Sequence, residues 1–124
     1  MVKRKLQAMS PAETEILRII WELKQATIQQ IHSELPPDRK IVYKTVLTLV
    51  RRLEKKGYVK HKTTGKANVY SAKVKREDVV RRTVYDFLDR LFAGKAEPLV
   101  QFLAEDGLLG PEEAKRLKEI IENS

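Results

Sequence analysis

Between Val42 and Gly57 the chain carries two interleaved patterns that together permit few structures. Val46, Leu49, Val50 and Leu53 recur at i, i+3, i+4 and i+7, the spacing of a helix that buries one stripe. Lys44, Thr48, Arg51 and Lys55 fall at i, i+4, i+7 and i+11. At about 100° per residue their mean direction lies nearly opposite the apolar stripe. The spacing predicts a helix from about Tyr43 to Lys56 with one face for packing and one cationic face. Gly57 follows Lys55 and Lys56 as a C-terminal cap residue, with cations where the helix dipole prefers them.

The flanking sequence supplies elements for that helix to pack on. Ser10-Pro11-Ala12-Glu13 is a helix start, with Ser10 as cap, Pro11 at the first helical position and Glu13 closing a capping box. Ile16, Leu17, Ile20 and Leu23 then keep helical spacing, which carries the first helix to about Lys24. Thr27, with Gln30 three residues on, opens a short second helix over Ile28–Leu35 that Pro36-Pro37-Asp38 stops. Two strand-like runs follow the third helix, Tyr58–Thr63 and Asn68–Ala72, separated by Thr64-Gly65-Lys66-Ala67. Three helices and a hairpin in this order are those of a winged helix-turn-helix domain. The expected fold is mainly α: a winged-helix domain over residues 1–75 and a helical C-terminal segment over 76–124.

Charge separates the same two parts. Up to Arg76 there are 18 Lys and Arg against 6 Asp and Glu, and beyond it 7 against 11, within an overall +8. A basic module joined to an acidic one suggests a polyanion-binding unit with an appended segment. On the third helix Lys44, Thr45 and Thr48 lie near the N-terminus, where base edges would be in reach of a helix in the major groove. Arg51, Arg52 and Lys55 are placed for phosphates, as are Lys60, Lys62 and Lys66 around the hairpin turn, with His61 among them. Lysines also line ordinary solvated faces and edge hairpins. Glu54 is the only acid in the helix, however, and solvated helices more often mix signs. Val59, Val69 and Tyr70 are expected to pack rather than bind.

Several other classes are disfavoured. With no cysteine there is no disulfide frame, thiolate metal site or cysteine nucleophile. Neither His32 nor His61 has an acid and nucleophile, or a second ligand, at a useful spacing, so no catalysis, cofactor or metal is expected. The basic start Met1-Val2-Lys3-Arg4-Lys5 precedes no apolar run, and no stretch approaches the roughly 18 apolar residues of a membrane span. A soluble cytoplasmic protein is expected. A winged helix used for protein–protein contact, or a non-specific architectural DNA binder, stays open; hydroxyls at Thr45 and Thr48 suit sequence readout better than pure charge.

The C-terminal part is apolar in three places. Val80, Val84, Phe87, Leu88, Leu91 and Phe92 stripe a fourth helix from about Arg76 to Phe92. Leu99, Val100, Phe102 and Leu103 follow on a helix over Glu97–Glu105, and Leu117, Ile120 and Ile121 on a last one opened by Gly110-Pro111-Glu112-Glu113. These helices either fold back on the winged helix or join two copies. The first part has its own apolar set and the linker Ser71–Lys75 is polar, which favours a dimer interface made by Val84, Phe87, Leu88, Leu91, Phe92, Leu99, Val100, Leu103, Leu117, Ile120 and Ile121.

Taken together, Thr45-Val46-Leu47-Thr48-Leu49-Val50-Arg51-Arg52-Leu53-Glu54-Lys55-Lys56-Gly57 resembles the third-helix signature T-V-x-T-L-x-x-R-L-x-x-K-G of the penicillinase-repressor family, the BlaI and MecI type. Glu13-Thr14-Glu15-Ile16-Leu17 with Trp21, Gly65 with Val69-Tyr70, and the C-terminal Phe87-Leu88, Leu91-Phe92 and Leu99–Leu103 resemble that family's first helix, wing and dimerisation segment. The resemblance spans about positions 9–124. It implies a homodimeric repressor on a palindromic DNA operator, with genes for β-lactam resistance or a membrane protease sensor under control and that sensor as a partner. In antibiotic-responsive members an Asn-Phe bond is cut on induction, and the matching pair here is Gln101-Phe102. Copper-responsive relatives carry C-terminal cysteines, which this chain lacks, and Val42 stands where many relatives have a capping Ser.

Overall fold

The computed structural model describes residues 6–123, so the basic start Met1-Val2-Lys3-Arg4-Lys5 lies outside the described residues. The elements run α1 (Pro11–Leu23), β1 (Gln25–Ala26), α2 (Ile28–Glu34), a 3-10 turn (Pro37–Arg39), α3 (Tyr43–Lys55), β2 (Val59–Thr64), β3 (Ala67–Ala72), α4 (Arg76–Phe92), α5 (Glu97–Glu105) and α6 (Pro111–Glu122). The fold is mainly helical, a winged helix-turn-helix followed by helices, as the patterning requires. It divides into two compact units between Asp78 and Val79, inside the first turn of α4.

In the first unit both expected capping boxes form. The Ser10 hydroxyl accepts from the Glu13 N–H at 3.1 Å while Glu13 accepts from the Ser10 N–H at 2.8 Å, and Thr27 and Gln30 repeat this at 3.2 and 2.9 Å. Ile16, Leu17, Ile20, Ile31, Val46, Val50, Leu53 and Val59 are fully buried and make the core between α1, α2, α3 and the sheet. Two short elements escape the sequence patterning. One is the 3-10 turn at Pro37–Arg39, which links α2 to α3 and is held to α1 by the Arg39–Glu15 ion pair. The other is β1, which pairs antiparallel with β3 (Gln25 opposite Ser71, Ala26 opposite Tyr70), so the sheet has three strands in the order β1-β3-β2.

The end of α3 sets the direction of the wing. The Tyr58 N–H donates to the Leu53 carbonyl at 2.9 Å and the Gly57 N–H to that of Glu54 at 3.1 Å. That pair of bonds, with Gly57 at φ +90°, is a Schellman turn. The chain reverses there and leads straight into β2, with Tyr58 and Val59 buried. The hairpin closes with Thr64 opposite Ala67, and Gly65 at φ +63° takes the first of the two loop positions.

In the second unit the helices form where capping and spacing put them, but they assemble no core. Of the described residues from Val79 on, only Leu88 is buried. Among the described residues, no two of α4, α5 and α6 pack along each other as α1, α2 and α3 do.

Candidate nucleic-acid interface

The two faces of α3 separate in the structure. Val46, Leu49, Val50 and Leu53 are buried, whereas Lys44, Thr45, Thr48, Arg51, Arg52 and Lys55 are all exposed. A helix held on one side by apolar burial can present the opposite side to a partner without losing its footing. Val42 and Tyr43, at the start of α3, are also exposed, and Val42 offers no side-chain cap.

Thr48 is more constrained than its sequence position suggests. Its hydroxyl donates to the Lys44 carbonyl at 3.0 Å, one turn back along the helix. With the hydrogen so engaged, the side chain presents lone pairs and a methyl group. It can accept from an adenine or cytosine amino group or pack on a thymine methyl.

The turn between α2 and α3 is pinned as well. His32 on α2 donates through Nε2 to the Ile41 carbonyl at 2.6 Å, one residue before the α3 cap. At the other end of α3, the ammonium of Lys56 lies 2.8 Å from Glu13 Oε1 and donates to the Ala8 carbonyl at 2.9 Å. Burial pushes the Glu13 carboxyl up, but hydrogen bonds from Lys56 and Ser10 and the Lys56 charge outweigh it and hold it below the usual carboxylate range. Trp21 Nε1 donates to the Val74 carbonyl at 3.1 Å, tying α1 to the segment after the wing. The presenting helix is thus fixed at both ends by side-chain bonds to α1, α2 and the residues before them.

On the wing, Lys60, Lys62 and Lys66 are exposed; Tyr70 and Val59 are buried and Val69 is half-buried. The sequence pattern assigns His61 no role of its own. The structure brings it to Glu54, with Nδ1 and Oε2 2.6 Å apart. Of the C-terminal apolar residues, Leu88 is buried, Phe92, Leu99, Val100, Leu103 and Leu117 are half-buried, and Val84, Phe87, Leu91, Ile120 and Ile121 are exposed. Gln101 and Phe102 are exposed in the middle of α5. Among the described residues no group of His, Cys, Asp or Glu is placed to hold a metal ion, and no helix is long and apolar enough to cross a membrane.

Comparison with known proteins points the same way. The family model described as penicillinase repressor matches residues 9–123. The methicillin resistance regulatory protein MecI of Mammaliicoccus sciuri is 32% identical over 117 residues, covering 94% of this chain and 95% of that protein. The solution structure of the DNA-binding domain of the repressor BlaI is similar over 61% of this chain and 93% of that domain, with a TM-score of 0.53 and 29% identity. The monomeric form of Bacillus licheniformis BlaI, solved in complex with the blaP half-operator, matches over the same shares with a TM-score of 0.50 and 28% identity.

Proposed function

The chain belongs to the penicillinase repressor family, and from that premise we propose that it is a transcriptional repressor which binds a palindromic double-stranded DNA operator as a homodimer. One observation carries the reading: α3 buries its whole apolar stripe and leaves on the opposite side an exposed surface of cations and hydroxyls. Laid in a major groove, Lys44, Thr45 and Thr48 contact base edges while Arg51, Arg52 and Lys55 grip phosphates. Lys62 and Lys66 reach the adjacent backbone or minor groove. The BlaI structure on a half-operator supports this division of one copy per half-site.

Residues 1–75 are then the DNA-binding domain and 76–124 the dimerisation segment. Among the described residues of the C-terminal unit one is buried and several large apolar side chains are exposed, which leaves no core within one chain. A second copy supplies the missing half, as obligate dimers do. The relatives' names support a role in the response to β-lactams, with resistance genes or a membrane protease sensor as targets and that sensor as the upstream partner. Gln101-Phe102 matches the Asn-Phe bond that antibiotic-responsive relatives cut, and Gln in place of Asn is a departure that speaks against cleavage as the inducing event here. The Gln101-Phe102 bond lies inside α5, so a protease that takes extended substrate must first unwind that helix.

The reading is tested by titrating the protein against the duplex it selects from random sequence and against a scrambled one, each at two salt concentrations. Preference for the selected duplex of about 10³-fold or more is expected, with both affinities falling steeply with salt. Lys44→Ala is expected to relax the preference at one base pair per half-site by about 1–3 kcal/mol. Equal affinity for both duplexes would replace the repressor with a non-specific architectural binder.

A further inference from the structure

Glu54 is the only acid on α3, and a carboxylate on a helix that meets phosphates is a liability. The structure turns it away. The Schellman turn at Gly57 folds β2 back beside the end of α3, which brings His61 of β2 against Glu54 at 2.6 Å. A carboxylate only accepts, so the imidazole carries its hydrogen on Nδ1 and donates it to Oε2. The ring also lies 5.2 Å from that of Tyr70, its partner across the hairpin, and Tyr70 is buried. His61 therefore has one side on the presenting helix and one on the fixed strand of the wing. The Glu54 and His61 side chains are 33% and 36% exposed, so water does not fully loosen the contact.

We infer that His61 is a positioning residue of the DNA interface: through Glu54 it sets the angle of the wing, and thus Lys60 and Lys62, relative to the cations of α3. The inference rests on the DNA-binding reading. Lys60 and Lys62 flank His61 in β2, and alternation along a strand turns both side chains to the face opposite His61. Any rotation of His61 about the strand moves both lysines. A free hairpin would sample many angles and spend its lysines on few of them; a pinned one holds them over one stretch of backbone.

The test is whether Lys62 is worth less when the pin is removed. Operator affinity is measured for wild type, Lys62→Ala, His61→Ala and the His61→Ala/Lys62→Ala pair, with Glu54→Ala and Glu54→Ala/Lys62→Ala as a second background. Lys62→Ala is expected to weaken binding about fivefold in wild type but less than twofold in either background. A merely structural role for His61 would lower affinity without changing the factor that Lys62 contributes. The same fivefold loss in all three backgrounds would overturn the inference while leaving DNA binding intact. No loss from Lys62→Ala in wild type would overturn it too, because the wing would then touch no DNA; a wild-type protein without operator affinity would instead remove the DNA-binding reading itself.

Discussion

Leu91→Asp is expected to give a folded monomer that binds a full operator at least 100-fold more weakly than wild type. Leu91 is 66% exposed in the single chain, so a carboxylate there costs the fold of one copy little. In the proposed dimer the same position would be covered, and two charges facing a desolvated apolar surface would oppose association strongly. Leu88 is a poorer place for the test: it is buried within its own chain, and Leu88→Asp would confuse unfolding with dissociation. The loss of affinity follows from arithmetic rather than from any DNA contact. Once one copy is bound, a tethered second copy meets its half-site at a high effective concentration, and a monomer forgoes that advantage. Sedimentation and half-site titration separate the effects. The variant should sediment as a monomer and bind an isolated half-site as wild type does. A Leu91→Asp protein that remains dimeric would take the α4 stripe out of the interface.

The second large effect is on stability. Lys56→Met should cost roughly 3 kcal/mol of unfolding free energy at pH 7, as removal of one partner from a buried ion pair does. Glu13 is 2% exposed, and its carboxylate has Lys56 as its only charged partner among the described residues. The wild-type carboxyl titrates below its ordinary range, so it binds fewer protons folded than unfolded near that range. Its contribution is present above the unfolded value of about 4.3 and is lost as pH falls through the lowered folded value. Without Lys56 its hydrogen bond and its charge no longer lower the Glu13 carboxyl, which then protonates more readily than in wild type, so the variant's deficit should shrink as pH drops below about 4. Denaturant unfolding at pH 7 and pH 3.5 checks this. Equal deficits at both values would mean that Lys56 stabilises by packing alone. The consequence for function is local, since this pair holds the end of α3 to the first turn of α1.

The part of the fold that is legible in the sequence is the part governed by local periodicity. Val46, Leu49, Val50 and Leu53 announce their burial by spacing, and the capping boxes at Ser10 and Thr27 mark helix starts with two bonds each. The pieces that stay hidden are short or non-local. Gln25–Ala26 is too brief to show alternation and becomes a strand only because β3 passes beside it. Glu13 and Lys56 are 43 positions apart, and nothing in either neighbourhood names the other. Glu54 and His61 are only 7 apart, yet their meeting depends on the turn at Gly57 and on the register of the hairpin. The nine exposed positions proposed for DNA are legible as a pattern of cations and hydroxyls; Thr48 is not fully so, because its hydroxyl is spent on Lys44.

The central claim, sequence readout by α3 in a symmetric dimer, is tested most directly by footprinting the protein on the DNA upstream of its own gene. The expected result is a discrete protected site made of two inverted half-sites, their centres about 10 base pairs or a multiple of that apart. Protection spread evenly along the fragment, or a single patch with no inverted repeat, would contradict the account.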